Sequence, residues 1–398
     1  MLGLDILFSK VLFILYLLSP ILILAVLVFV CWNLWLSYKR FDFIVKQERV
    51  LLELKIPKEI KKTPIAMELV LNALHQTSGE GSWFDRNIKG KSRAWFSLEI
   101  ASFEGDVKFF VWTQKAFKNL VESYFYAQYP NLEIYEVPDY TQFVSLNFDT
   151  MSMWGTEFVT TNKVDAYPIK TYVDYGLDKL GLKEDEITDP ITPLIEFLGS
   201  IGTGEQLWLQ ILVRAHKGGK SGWEKEDWKK LAEKEKETLL LKLKPEEGYF
   251  PRMTTKGEQD IIASIERNVD KVAFDCGIRF IYLTEKDKFN GINAPGIVGS
   301  FKQYNSEWRN GFKPSNLTGF DYPWQDYKNI RLNKKKKDIF DEYKRRAYFY
   351  YPHKNKKQFV LSSEELATIF HLPGGVSQTP TFSRITSKKA VPPTNLPF

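Results

Sequence analysis

The spacing of apolar and polar positions changes character along the chain. From Val11 to Ser37 there is no alternation: VLFILYLLSPILILAVLVFVCWNLWLS contains no charged residue. A helix of that length runs about 40 Å, more than the roughly 30 Å that a hydrocarbon core requires. Pro20 predicts a kink within it. Trp32, Trp35 and Tyr38 suit the interfacial belt at one end. A cleaved signal peptide would have a shorter apolar run and a small-residue cleavage site, and neither is present. The expectation is a tail over 1–10 and a single transmembrane helix over 11–37. Lys39, Arg40, Lys46 and Arg49 follow the span, whereas only Lys10 precedes it. That bias predicts the bulk of the chain in the cytosol.

Past the span, helical and strand periods take turns. Residues 38–62 read as a stalk, helical through Phe41, Ile44 and Val45, then a short strand over Leu52–Ile56 stopped by Pro57. A helix follows over Pro64–Gln76, with proline suited to its first turn, and then a Gly/Ser-rich loop over Ser78–Ser92. Trp95–Ser102 and Val107–Trp112 alternate as strands around a Glu104-Gly105-Asp106 turn. Thr113 is placed to cap a helix reaching Gln128, and Leu132–Val137 is a further strand. In the next stretch, Asp189–Leu198 reads as a helix and Glu205–Ala215 as a strand. Charged helices follow over Trp223–Lys242 and Glu258–Val269, then a strand over Lys271–Leu283 and a helix over Ala294–Tyr304. The predicted class is α+β. The N-terminal transmembrane helix precedes two ferredoxin-like α/β sandwich units, 63–150 and 151–320, the second carrying a charged helical insertion. A basic, aromatic segment with a C-terminal helix occupies 321–372, and a Pro/Ser/Thr-rich tail occupies 373–398.

Composition narrows the chemistry. Aromatics make up 15% of the 398 residues and apolar residues 44%, which suits folded domains with real cores. Cys31 and Cys276, the two cysteines, lie far apart and in apolar surroundings, so a disulfide framework is not expected. His75, His216, His353 and His371 lack metal-ligand spacing. Neither Gly219-Lys220-Ser221 nor Gly90-Lys91-Ser92 has the leading glycine of a phosphate loop: Arg214 and Asp85 stand there. Gly199–Gly204 joins a helix to a strand, the reverse of a phosphate cradle. The pairs Glu184 with Glu186 and Glu364 with Glu365 read as a solvated loop and a helix first turn capped by Ser362 or Ser363. No cofactor, metal or catalytic residue is expected, and the chain reads as a non-enzyme.

One charge feature rises above this background. Residues 331–357 hold 11 Lys or Arg and three acids, a net of +8, against +6 for the whole chain, so the remainder is net −2. Tyr348 to Tyr351 sit inside it. Lys334, Lys335, Lys336, Lys337, Lys344, Arg345, Arg346 and Tyr350 are the candidate contacts for DNA phosphates or for the anionic headgroups of the lipid bilayer. The alternative is a solvated basic helix running into a buried strand over Ala347–Tyr351.

The end of the chain carries a resemblance. FVLSSEELATIFHLPGG (359–375), TPTFSR (379–384) and KKAVPPTNLP (388–397) resemble the segment just before the nucleotide-binding core of type IV secretion and conjugation ATPases of the HerA/FtsK-like kind. In those proteins an EELA-x-x-x-H-x-PG helix and a PP-x-x-LP strand lead into a phosphate-loop domain. The run 109–140 is similar to the N-terminal region of the same proteins. No phosphate-loop domain is read in residues 1–398, so the ATPase core is expected on a separate chain. The resemblance implies an accessory or scaffold subunit anchored in the cytoplasmic (inner) membrane, part of a type IV secretion, conjugation or DNA-translocation system. Its partners would be a separate phosphate-loop ATPase, the bilayer and DNA, with homo-oligomerisation open. Glu365 and His371 on a docked helix, and Phe382, Val391 and Leu396 in an extended tail, are the candidate docking residues. A membrane-bound nucleic-acid- or lipid-binding module is the first alternative, and a hydrolase with an unrecognised site the second.

Overall fold

A computed structural model describes residues 2–57, 62–161, 164–179, 188–218, 228–242, 255–319, 322–350 and 358–374. The elements run α1 (Leu2–Val45), β1 (Arg49–Lys55), α2 (Pro64–Leu74), α3 (Trp83–Asn87), β2 (Trp95–Phe103), β3 (Asp106–Gln114), α4 (Lys118–Gln128), β4 (Glu133–Val137) and β5 (Met151–Thr160). They continue with α5 (Thr192–Gly199), β6 (Glu205–Ala215), α6 (Trp228–Lys242), α7 (Lys256–Asp270), β7 (Ala273–Glu285), α8 (Asn293–Gly299), β8 (Phe312–Ser315), α9 (Ile330–Lys344), β9 (Phe359–Ser362) and α10 (Ser363–Ile369).

Two compact units divide these elements. The smaller comprises residues 1–47, 78–92 and 350–352. Its α1 passes through Pro20 without interruption and takes in the helical part of the expected stalk. Tyr16–Val45 has a mean hydropathy of 2.5 in its most apolar window and buries none of it, so this helix is long and apolar enough to cross a membrane.

The larger unit is built on one antiparallel sheet. Among the described residues nine strands join in the order β4-β1-β3-β2-β6-β7-β5-β8, with β9 alongside β7. Each half repeats one connectivity. β1, α2, β2, β3, α4 and β4 fold with sheet order 4-1-3-2, and β5, α5, β6, β7, α8 and β8 give the same order in their own sequence. The halves meet where β2 pairs with β6, from Trp95 opposite Arg214 to Phe103 opposite Gln206. The boundary expected near residue 150 therefore does not separate two independent sheets. β2 and β6 are each apolar on alternate residues over nine positions or more, and pairing them removes an edge from each half.

The sheet forms where β-branched and aromatic residues alternate, and each face has its own cover. Leu52, Leu98, Phe109, Leu209, Ile211, Ile278 and Phe280 point to a core filled by Met67, Val70 and Leu71 of α2, Val121 and Phe125 of α4, and Leu366 and Ile369 of α10. The β2–β3 hairpin turns on Glu104 and Gly105, at φ 56° and 93°. Positive φ at both positions matches the right-handed twist of the paired strands, which is why glycine stands second. The sequence expected a cap at Thr113, but β3 keeps that residue and α4 starts at Lys118 after a short 3-10 turn. Ser362 does cap α10: its Oγ accepts from the Glu365 N–H, and the Glu365 carboxylate accepts from the Ser362 N–H.

Candidate functional site: a sealed polar row and its basic rim

The opposite face of the sheet carries polar residues in register. Glu99 on β2 lies opposite Gln210 on β6, Gln210 opposite Arg279 on β7, and Arg279 opposite Glu157 on β5. Strand alternation brings all four to one face, in a row perpendicular to the strands. All four are buried. Leaving such groups bare would cost several kcal/mol each, so the cover must be polar too.

The cover is α9 and the residues after it. Arg346, 1% exposed, forks onto Glu99, with Nε to Oε1 at 2.9 Å and Nη2 to Oε2 at 3.1 Å. The same guanidinium grips Asp139 through both Nη atoms. Glu99 also accepts from Ser97 Oγ at 2.6 Å and Tyr140 Oη at 2.8 Å. Gln210 Nε2 donates to Glu99 and to the Tyr343 carbonyl. Arg279 donates to Glu157 at 3.1 Å, to Glu342 at 2.9 Å and to the Ala347 carbonyl at 3.2 Å. Arg346 adopts φ 49° to make these contacts, a conformation that an L residue adopts only when its surroundings hold it there. Aromatic rings seal the margin: Trp208 packs on Phe340 and Tyr343, and Tyr140 on Trp208. Gly277 leaves room for Tyr348, because a Cβ there would stand 2.3 Å from its ring.

Electrostatics follow the geometry. Burial works against the Asp139 carboxylate, but Arg346 beside it holds its pKa below the usual range. Burial pushes Glu342 up to about 7, against the pull of Arg279. A second cluster lies further along the same strands. Asp275 is gripped by Arg214 at 2.6 and 3.0 Å and meets His216 Nδ1 at 2.7 Å. Burial opposes ionisation of Asp275 too, but His216, Arg214 and Arg93 draw its pKa down to about 2. The row is thus a set of satisfied ion pairs between a sheet and its cover. Among the described residues no group of three or more His, Cys, Asp or Glu could hold a metal ion.

The candidate basic residues divide. Arg346 lies inside the seam, so its expected role as a phosphate or headgroup contact is corrected: both carboxylates it meets are internal. Lys344 Nζ donates to the Val144 carbonyl at 3.2 Å, and Lys335 Nζ to the Leu317 carbonyl at 2.5 Å. Lys336 is half-buried, and burial lowers its pKa. Tyr350 belongs to the smaller unit, where its hydroxyl donates to Glu80 at 3.0 Å. Lys334 and Lys337 remain exposed on α9 and Arg345 just after it, with Asp338 exposed among them. An aromatic group precedes them that charge counting alone missed. Tyr322 stacks on Trp324 at 4.6 Å, and Trp324, Tyr327 and Ile330 are exposed. The run Tyr-Pro-Trp-x-x-Tyr just before α9 was the available signal.

The docking candidates divide as well. All seven residues of α10 are buried. Glu365 accepts from the Ile169 N–H at 2.9 Å, and burial pushes its pKa up to about 7. His371 Nδ1 donates to the Ala367 carbonyl at 2.8 Å and Nε2 meets Asp189 at 2.9 Å. Burial opposes its charge, but Asp189 holds its pKa above the ordinary value. Glu365 and His371 therefore fasten α10 into the domain and present no docking surface, because every polar atom they offer is met internally. Phe382, Val391 and Leu396 lie outside the described residues, as do Gly219-Lys220-Ser221 and His353. Gly90-Lys91-Ser92 leads from α3 towards β2 with no helix after it.

Residues 39–384 match a domain of unknown function (DUF8128). The chain belongs to that family. The matched span covers the whole nine-stranded sheet, α9 and α10, and begins just past the charge-free run. None of the curated proteins compared matches the chain.

Proposed function

We propose that this DUF8128 chain is a membrane-tethered scaffold that holds a separate phosphate-loop ATPase of a secretion, conjugation or DNA-translocation machine. One observation carries the scaffold reading. An assembly of ionisable side chains, Glu99, Asp139, Glu157, Arg279, Glu342 and Arg346, is spent on fastening α9 and the residues just after it to the sheet. A catalytic site needs such groups turned towards a substrate, and these are turned towards one another. The ATPase as partner rests on the resemblance of residues 359–397, an analogy of sequence and not of site. In this reading α10 completes the domain and the residues after Gly374 reach the partner.

The finer architecture belongs to the same proposal. The 4-1-3-2 order of each half supports two ferredoxin-like units fused through β2 and β6. α1 would span the cytoplasmic membrane with the sheet on the cytosolic side, supported by the basic residues after Ser37. Co-purification tests the function. Deleting residues 378–398 should leave the protein folded and membrane-bound but abolish recovery of the ATPase. Recovery at the wild-type level would refute docking through the tail.

A second reading has its own observation, the exposed Tyr322, Trp324 and Tyr327 in the segment leading into α9, which carries the exposed Lys334 and Lys337. Aromatic and cationic groups so placed suit a polyanion, either nucleic acid or anionic lipid. Binding that weakens steeply with salt would favour it. No binding to DNA or anionic vesicles at low salt would remove it.

A further inference from the structure

In the smaller unit, the loop 78–92 lies along α1. Trp83 stacks on Trp32, with ring centroids 6.1 Å apart and planes 18° from parallel. Further along the loop, Gly90 has φ +66° and touches the α1 backbone: a Cβ there would sit 2.5 Å from the Lys39 carbonyl carbon and oxygen. Trp32 and Lys39 are seven residues apart, about 10 Å along a helix. The loop thus follows α1 from the end of its apolar run to its first basic residues.

The loop's side chains are sorted along that same direction. Trp83 and Phe84 are 59% and 51% exposed, an apolar pair that water does not favour. Lys89 and Lys91 stand at the other end, each 3.3 Å from Asp85, and Lys89 lies over the Phe84 ring at 5.3 Å. On α1 itself, Lys39 lies over Trp35 at 4.7 Å. Both segments therefore grade from aromatic to basic in the same sense. The loop holds this arrangement through its own bonds: Ser82 Oγ accepts from the Asp85 N–H, and the Lys91 N–H donates to the Asp85 carbonyl.

We propose that the loop 78–92 is a second membrane contact, with Trp83 and Phe84 entering the boundary between acyl chains and headgroups beside Trp32. The inference rests on reading α1 as a span. The occupant is the bilayer because the exposed pair continues the apolar surface of α1 at the level of Trp32. Tryptophan favours that depth, where its ring is buried and its N–H meets water. Lys89 and Lys91 then stand among the phosphates, where anionic lipid favours cations. The loop would fix the depth and tilt of α1, which length alone leaves free.

The test uses the full chain in vesicles of phosphatidylcholine and phosphatidylglycerol. An environment-sensitive fluorophore is attached at Trp83→Cys, at Phe84→Cys or at Leu24→Cys, each in a Cys31→Ser background; Cys276 is buried and unreactive. Phe84→Cys retains the Trp32–Trp83 stack, so a loss of loop structure in Trp83→Cys is recognisable. Quenchers are lipids spin-labelled near the headgroup or deep in the chain, and aqueous iodide. The expected result is several-fold stronger quenching at 83 and 84 by the shallow label than by iodide, with position 24 quenched best by the deep label. Strong iodide quenching at 83 and 84, or protection there from every quencher, would overturn the contact while position 24 upholds the span. If the lipid labels quench none of the three positions, the span reading fails and takes this inference with it.

Discussion

The two halves of the sheet share a strand order but differ in what joins their strands. In the first half β2 and β3 are linked by Glu104 and Gly105 alone, whereas in the second the corresponding β6 and β7 are separated by residues 216–272, which include α6 and α7. Despite that insertion, β6 and β7 keep continuous register from Glu205 opposite Thr284 to Ala215 opposite Phe274. Register therefore does not depend on a tight turn here. It is held across the strands, by the alternation of apolar side chains and by the polar row from Glu99 to Glu157. The comparison also shows an asymmetry. Both halves contribute to the row, and its cover is led by α9 and the residues up to Phe349, with Asp139 and Tyr140 beside them. A single segment thus fastens both halves.

Breaking that fastening should have the largest effect. Arg346→Ala leaves the buried Glu99 and the half-buried Asp139 without their cation, which costs about 3–5 kcal/mol. Denaturant unfolding of the full chain in detergent should show the loss, and both halves should share it. Gly277→Val would press a side chain against the Tyr348 ring and should cost ~1–3 kcal/mol by overpacking. Both halves should share this loss too. Near-unchanged melting in either variant would mean that α9 is not a structural cover.

A subtler effect is set by pH. The Glu342 carboxyl is raised from 4.5 to about 7 in the folded protein, chiefly by burial. Between those values the folded chain binds a proton that the unfolded chain has released. The stability from this group is therefore complete below 4.5 and fades as pH rises through about 7. Glu342→Gln should flatten the slope of stability against pH in that window by on the order of 1 kcal/mol, reduced by partial solvent screening. An identical slope in wild type and variant would show that Glu342 is not the titrating group. Smallest of all, Lys334→Ala with Lys337→Ala should change stability by less than ~0.5 kcal/mol, since both lie on the outer face. Calorimetry that found a large loss would place these lysines in the fastening, not on a free surface.

The legible parts of this fold were those with a strong local period. Glu205–Ala215 was read residue for residue, and the β2–β3 hairpin was announced by its turn, because alternation and φ > 0 chemistry are local properties. β5 was missed. Its sequence, MSMWGTEFVT, breaks alternation at Gly155, where Ile339 of α9 lies close against the sheet. β8 is four residues with a proline at Pro314, an edge strand with little signal of its own. The polar row could not be seen because its neighbours are between 69 and 122 residues apart, and Arg346 is 247 residues from Glu99. The basic run at 331–346 was visible, but charge counting cannot distinguish Arg346, which turns inward, from Lys334, which does not. The capping box at Ser362 was readable. That Glu365 and His371 point into the domain was not, since this depends on Ile169 and Asp189, far away in sequence.

The central claim is that one sheet, fastened by one segment, makes the two halves a single cooperative unit. Native-state hydrogen exchange on the full chain tests it directly, with amides of β3 reporting the first half and those of β7 the second. The account predicts that both sets open with the same free energy in the wild type, and that Arg346→Ala lowers both by the same amount. Loss of protection in β7 with β3 unchanged, or the reverse, would contradict it and return the chain to two independent halves.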